Sequence, residues 1–277
     1  MPFLSLTTWS LHRNLGPLRW TYWDEEKRTQ GTHTEEQPET ISLLELPGIL
    51  REQGYQAMEI CHFHFPDTSN DYLSKLRSAL EQSGIRLYTL LADYGDITSS
   101  DEQRRESDMK WLIEWIDVAS AVGAERIRVI AGDADPADDK ALRLAASQLQ
   151  RLIDYAAGKN VRIITENFHD LTSTSHNCLS LLDTCGSDLG LTTDFGNFSG
   201  PHKLSELRAT IPRSESIHAK AITGQRGEPD EEELRNCMEQ VKHSGYEGPI
   251  TLVYDGPGDM WEGIGRVKAL VEPYLSS

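Results

Sequence analysis

From residue 41 onward, short runs of apolar or β-branched residues alternate with longer stretches of helical period. The short runs are "AMEIC" (57–61), "RLYTLLA" (86–92), "RIRVIAG" (126–132), "VRIITEN" (161–167), "LGLTTDF" (189–195), "SIHAKA" (216–221) and "PITLVYD" (249–255). Between them, "DMKWLIEWIDVASAVG" sets Trp111, Trp115, Val118 and Val122 on one helical face and stops at Gly123. Those tryptophans read as helix-packing residues, not as a ligand box. "ALRLAASQLQRLIDYAAGKN" has the same form, with Gly158 as its expected C-cap. A glycine, a few linking residues and a strand recur at "EQGYQAMEI", "QSGIRLYTL", "AVGAERIRVI", "AGKNVRIIT" and "HSGYEGPITL". With the N-terminal "FLSLTTWS" there are eight candidate strands, each followed by a helix. Repeated βα units of this length predict a parallel sheet, and eight of them an α/β fold closed as a single (β/α)₈ TIM barrel. A doubly wound open sheet is the alternative, but it would usually carry G-x-G-x-x-G after an early strand, and none is present.

Residues 13–40 break the rhythm, starting aromatic ("RNLGPLRWTYW") and turning charged and polar ("DEEKRTQGTHTEEQPET"). They are expected to form a long first βα loop within one domain spanning residues 1–277, either folded over the barrel mouth or lying as a flexible surface loop. Trp20, Tyr22 and Trp23 favour partial packing.

The 277 residues carry a net charge of −17, which repels nucleic-acid phosphates and anionic membrane surfaces. Such a charge is either a solvated acidic surface or, in part, a local acidic site that holds a cation. Cys61, Cys178, Cys185 and Cys237 form no C-x-x-C pair, a pattern suited to reduced thiols. No basic leader precedes a long apolar run, and no apolar stretch approaches the ~18–20 residues of a membrane span. A cytoplasmic, soluble protein is expected.

In a (β/α)₈ barrel the chemistry sits at the C-terminal ends of the strands. The second candidate strand offers Glu59 and then His62 and His64; the third closes on Asp93, and the fourth carries Arg128. The fifth ends in Glu166, followed by Asn167 and His169. The sixth ends in Asp194, followed by Asn197. The seventh places His218 and Lys220 two apart, on one face, and the eighth ends in Asp255. Each residue alone has a structural reading: Glu59 as a rim residue paired with Arg128, His218 as a hydrogen-bonded core histidine, Asp194 as a turn cap. A Glu, an Asp and a His closing consecutive strands converge on one point, and two carboxylates with an imidazole suit a divalent ion such as Mn²⁺, Mg²⁺ or Zn²⁺. Such an ion would compensate the carboxylate that ends the buried run "VRIITE".

The motifs "ITEN", "TDFGNF", "IHAK" and "GYEGPI" resemble the xylose-isomerase-like TIM-barrel family of sugar and sugar-phosphate isomerases and epimerases, over nearly the whole chain. The resemblance implies one divalent metal (Mn, Mg, Co or Zn) held by Glu166, Asp194 and His218, and, as in many members, a homo-oligomer. The family's fourth ligand, a glutamate on the eighth strand, aligns with Val253; Asp255, two residues on, is a displaced candidate. Asn197 stands where epimerases of free ketoses commonly carry a histidine. The family's strand 5 and strand 8 glutamates also serve as paired acid and base, so Val253 bears on mechanism.

The leading expectation is a metal-dependent isomerase or epimerase of a sugar, sugar phosphate or related polyol-carbonyl compound. It would abstract a proton next to a carbonyl and stabilise the enediolate. Glu166 and Asp255 are base candidates, and Lys220 or His169 would hold substrate oxygens or shuttle a proton. Glu59, His62, His64, Arg128 and Asn197 would contact substrate, Arg128 through hydroxyls or a phosphate. A metal-dependent dehydratase and a non-catalytic carbohydrate-binding barrel are the alternatives raised by Val253. The apurinic endonucleases that share this barrel must approach a polyanion, which the charge opposes.

Overall fold

The computed structural model describes residues 1–275. Eight parallel strands close into a barrel: β1 (Phe3–Thr7), β4 (Ala57–Cys61), β5 (Arg86–Leu91), β6 (Arg126–Arg128), β7 (Arg162–Glu166), β8 (Gly190–Asp194), β9 (Ser216–Lys220) and β10 (Pro249–Val253). Closure runs through β1, which pairs with β10 on one side (Ser5 opposite Thr251) and β4 on the other (Ser5 opposite Ala57). Helices α1 (Leu46–Glu52), α2 (Asn70–Ser83), α3 (Glu102–Val122), α4 (Asp139–Ala156), α5 (Ser175–Cys185), α6 (Lys203–Thr210), α7 (Glu231–Ser244) and α8 (Met260–Val271) form the outer ring. The expected α/β barrel is therefore the fold.

Local chemistry explains the element boundaries. Ser69, Asp101, Asp138, Thr174, Asp230 and Asp259 each accept a backbone N–H of the helix that follows, satisfying donors no helix can pair internally. At the other ends, Gly84 and Gly123 take left-handed φ values of 69° and 81°, which stop α2 and α3 without a Cβ clash. Gly158 is not such a cap. Helix α4 ends on Ala157 in the right-handed region, and the left-handed position falls to Asn160 (φ 56°), a residue type whose short polar side chain tolerates it.

The segment 13–40 also departs from expectation. It contains an antiparallel hairpin, β2 (Leu18–Asp24) and β3 (Thr29–Glu35), and not a plain loop. The Asp24 carboxylate accepts the backbone N–H groups of Glu26 and Lys27 to make the turn, and Arg28 completes it at φ 55°. Gly31 lets the Tyr22 ring lie across β3: a Cβ there would come within 2.5 Å of that ring and push the exposed tyrosine aside. Arg28 pairs with Asp101, and Gln30 donates to Asp108, fastening the hairpin to α3.

Inside the barrel the usual branched aliphatic layer is partly replaced by hydroxyl residues. Ser5, Thr89, Thr192, Ser216 and Thr251 are fully buried. They leave space and hydrogen-bonding capacity for Glu59, which is also fully buried. A register shift between β4 and β5 falls at Met58/Glu59, so that Glu59 stands opposite Thr89.

Candidate metal centre

Parallel register carries the two carboxylates and the imidazole to one level: Glu166 lies opposite Thr192, two residues before Asp194, and Asp194 lies opposite His218. Ligand atoms of Glu166, Asp194 and His218 all fall within 4.8 Å of one another, and all three residues are buried. His218 Nδ1 is 3.4 Å from Asp194 Oδ2 and 3.5 Å from Glu166 Oε1. Two ligand atoms each about 2.1 Å from one ion stand about 3.0–3.4 Å apart, which is close to these separations.

The surrounding contacts orient the set. Asn167 Nδ2 donates to the Asp194 carbonyl and its Oδ1 accepts the Asp194 N–H, tying the ends of β7 and β8 together. Gly196 N–H occupies Asp194 Oδ1 at 2.5 Å, leaving Oδ2 toward His218. Asn197 Nδ2 donates to Glu166 Oε1 at 3.1 Å. Arg128 Nε lies 2.9 Å from Glu166 Oε2 but is misaligned, and neither atom has a hydrogen-bond partner among the described residues. The Arg128 charge compensates Glu166 Oε2, while Oε1 faces His218 beside Asp194, where a cation in the triad would compensate the buried carboxylates.

Beneath the triad, Glu59 accepts from Thr89 Oγ1 (3.1 Å) and Ser216 Oγ (2.9 Å) and pairs with His218 Nε2 at 2.6 Å. A carboxylate on the far nitrogen fixes the tautomer of a ligating histidine, so that Nδ1 presents its lone pair to the ion. Burial alone would lower the His218 pKa, but Glu59 and Glu166 outweigh it and hold the ring well above its ordinary value. Burial likewise works against the charge on Glu59, and His218 reverses that and keeps the carboxyl below its usual range. The residues present thus fit a divalent cation: without one, an imidazolium proton neutralises part of the cluster.

The triad opens into a cavity of about 330 Å³ at the C-terminal mouth of the barrel. Trp9, Trp20, Phe63 and Phe168 supply its aromatic wall, with Trp20 delivered by β2 and lying 4.2 Å, centroid to centroid, from Phe63. Lys220 and Asp255 also face the cavity, paired to each other at 2.8 Å. Burial works against the charge on Lys220, but Asp194 and Asp255 raise its pKa above the ordinary value. Val253 contributes only an apolar surface to the same wall.

Three expected substrate contacts lie elsewhere. Glu59 is sealed under His218. His62 is buried, with Trp111 and Trp115 edge-on to its ring at 5.0 and 5.4 Å, and accepts the Asp93 N–H at Nδ1. His64 is buried against Thr8 Oγ1. The 3₁₀ turn His62–His64 directs both rings away from the mouth, which the count of residues past β4 does not reveal. Arg128 does reach the cavity, but it pairs with Asp93 and Glu166 and not with Glu59. Trp20 packs at the mouth, one of the two expectations for its segment, whereas Trp9, Phe63, Phe168 and Asp133, which binds His169 Nδ1, are site residues that the strand-end reading leaves out. Asp133 closes the run "RIRVIAGD" and so obeys the strand-end rule, five residues beyond Arg128.

A family model described as "Xylose isomerase-like TIM barrel" matches residues 48–270. The chain belongs to the xylose isomerase-like TIM-barrel family. Among solved structures it is similar to L-ribulose 3-epimerase, at 13% identity, covering 100% of this chain and 95% of that one with a TM-score of 0.73. The probable 3-DHS dehydratase AsbF involved in petrobactin synthesis from Bacillus anthracis matches at 17% identity, 98% of both chains and a TM-score of 0.69. A xylose isomerase-like TIM barrel protein from Mycobacterium smegmatis, solved in complex with magnesium, matches at 15% identity, covering 99% of this chain and 97% of that one, with a TM-score of 0.67. No curated protein matches this chain significantly. At these identities the likeness to solved structures is one of fold, and this xylose isomerase-like barrel must be read from its own site.

Proposed function

We propose that this barrel is a divalent-metal-dependent isomerase or epimerase of an unphosphorylated sugar or related polyol-carbonyl compound. The observation that carries the reading is the buried Glu166–Asp194–His218 triad, backed by Glu59, at the floor of the mouth cavity. When bound, a divalent ion there supplies Lewis-acid stabilisation of the negative charge that builds on substrate oxygens. Glu166, steadied by Asn197 and Arg128, faces the substrate carbon as a base as well as a ligand. Lys220 and Asp255 offer a donor and an acceptor to hydroxyl groups.

Size and charge support the substrate class. A cavity of about 330 Å³ is at the small end for ligand pockets, suited to one sugar unit. Its four carboxylates, Asp93, Glu166, Asp194 and Asp255, face two cationic side chains, Arg128 and Lys220, so a dication brings the wall to neutrality. Both side-chain cations are already paired with carboxylates, leaving none to receive a phosphate. The test is deuterium incorporation at carbon, followed by NMR in D₂O with Mn²⁺-loaded protein and D-fructose, D-psicose, D-tagatose and L-ribulose. Incorporation that is lost in Glu166→Gln supports the reading; none with any ketose contradicts it.

A dehydratase is the second reading, favoured by Val253, which puts an apolar side chain at the end of β10 and leaves only Asp255 on that side of the wall, a carboxylate already engaged by Lys220. The similarity to the probable 3-DHS dehydratase is compatible with it. Loss of 18 mass units from substrate, about one water, separates it from an isomerase, whose product has the same mass.

A further inference from the structure

We propose that His169 is the second proton-transfer group of this site and that Asp133 positions it, a dyad replacing the carboxylate absent at Val253. The inference rests on the isomerase or epimerase reading above and names the group that completes it.

Each cavity-facing group that can carry a proton is constrained by its partners. Glu166 belongs to the metal set and lies against Arg128. Asp255 is engaged by Lys220 at 2.8 Å, and Asp93 by Arg128. His169 differs. Its Nδ1 is 2.5 Å from Asp133 Oδ1, and no described residue is hydrogen-bonded to its Nε2. The ring lines the mouth cavity and stands edge-on to Phe168 at 4.3 Å and 80°. A carboxylate on Nδ1 selects the Nδ1–H tautomer and leaves a lone pair on Nε2, the form a general base requires. The hydrogen bond to His169, the largest influence on Asp133, holds that carboxyl below its ordinary range.

The backbone agrees with a demand for this side chain. His169 adopts φ 64°, the left-handed region in which only Gly, and to a lesser degree Asn, Asp and His, sits readily. Glycine would meet that turn without strain, so the imidazole is held there against a local preference. Asp133 follows β6 and His169 follows β7, so two adjacent strand-end segments bring the pair together.

In the step assigned to the dyad, Nε2 takes the proton from the substrate carbon next to the carbonyl. The C–H electron pair moves into the C–C bond, and the carbonyl π pair moves onto oxygen, giving an enediolate. Asp133 stays ionised and stabilises the imidazolium. Return of that proton to the former carbonyl carbon, as the hydroxyl proton of the enediolate passes to the former carbonyl oxygen, completes an isomerisation. In an epimerisation the ionised Glu166 takes the proton from one face, the His169 imidazolium, protonated from solvent, delivers one to the opposite face of the same carbon, and Glu166 then returns its proton to solvent. No oxidant or further reactant is needed.

The test joins an exchange assay with a tautomer measurement on Mn²⁺-free protein. In the D₂O assay with the four ketoses, His169→Gln and His169→Gly are expected to lower the exchange kcat by about 10²–10⁴-fold with KM changed by less than about threefold. His169→Gly relieves the left-handed strain and so controls for misfolding. Asp133→Asn is expected to lower kcat by about tenfold and to shift the acidic limb of the pH–rate profile, the mark of a positioning residue. Long-range ¹H–¹⁵N spectra should show His169 protonated at Nδ1 and bare at Nε2, with that preference weakened in Asp133→Asn. Wild-type kcat in both His169 variants overturns the proposal, as does an Nε2–H tautomer. A wild type that exchanges none of the ketoses defeats the reaction proposed above, and the tautomer then decides the dyad by itself.

Discussion

Glu59→Gln is the substitution that most sharply separates a metal-orienting role from a substrate-binding one. The side chain is fully buried and accepts from Thr89 and Ser216 while pairing with His218 Nε2 at 2.6 Å. Glutamine has nearly the same shape, so packing survives, but the negative charge is lost and its amide oxygen offers His218 Nε2–H only a neutral acceptor. Replacing a carboxylate behind a ligating histidine typically weakens metal binding about 10–100-fold, which is about 1.4–2.8 kcal/mol. Glu59→Ala would be worse, because it leaves two hydroxyls and the imidazole facing an uncompensated hole; about 3–5 kcal/mol of stability is at risk. The assay is competition for Mn²⁺ against a fluorescent chelator at several pH values. His218 is held protonated without metal, so binding must release that proton. Affinity should therefore rise with pH until the raised His218 pKa is passed and then level off. In Glu59→Gln the plateau should come at lower pH, because the charge that sustains the proton is gone. Mn²⁺ affinity within threefold of wild type, with an unchanged pH profile, would refute the role assigned to Glu59.

Three other outcomes are expected. Burial depresses the His62 pKa to about 4, so the unfolded state binds the extra proton first and stability declines as pH falls from about 6.5 to 4. The His62 share of that decline is worth about 3 kcal/mol at full effect; His64, pushed down to about 3 by burial, adds a comparable share, so urea unfolding of His62→Gln should lose about half of the decline. Trp20→Ala removes part of the cavity's aromatic wall without touching the triad, so substrate KM should rise several-fold while Mn²⁺ affinity stays unchanged. Glu215→Ala deprives Arg126 and Arg162 of their shared partner at the opposite end of the barrel; Tm should fall by about 2–8 °C with metal content intact, read by differential scanning fluorimetry.

The barrel was legible because its signals are local and repeated: a helix of period 3.6, a stop, a short apolar run. The strand-end rule brought Glu166, Asp194 and His218 together, since parallel register sets the ends of neighbouring strands at one level. It failed just past the ends, where direction depends on turn geometry. His62 and His64 follow β4 in sequence, yet the 3₁₀ turn they form buries them against Trp111, Trp115 and Thr8. Glu59 was found but assigned to the wrong depth: the interior of most such barrels is aliphatic, and the hydroxyl layer that admits a carboxylate is spread over strands remote in sequence. The hairpin in residues 18–35 carried a signal in its Trp, Tyr and Thr content, but its charged turn lacks the Asn-Gly or Asp-Gly pair that marks a short hairpin. Gly158 shows the limit of position-by-position reading, because Asn160 serves the turn equally well.

The account rests on the triad holding a metal ion despite Val253. Elemental mass spectrometry of the purified protein, with an Asp194→Ala variant beside it, tests that directly. About one Mn, Mg, Co or Zn per chain, lost in the variant, is the predicted result. No bound metal, and none taken up when Mn²⁺ is added, would contradict the central claim and turn attention to a carbohydrate-binding role for the barrel.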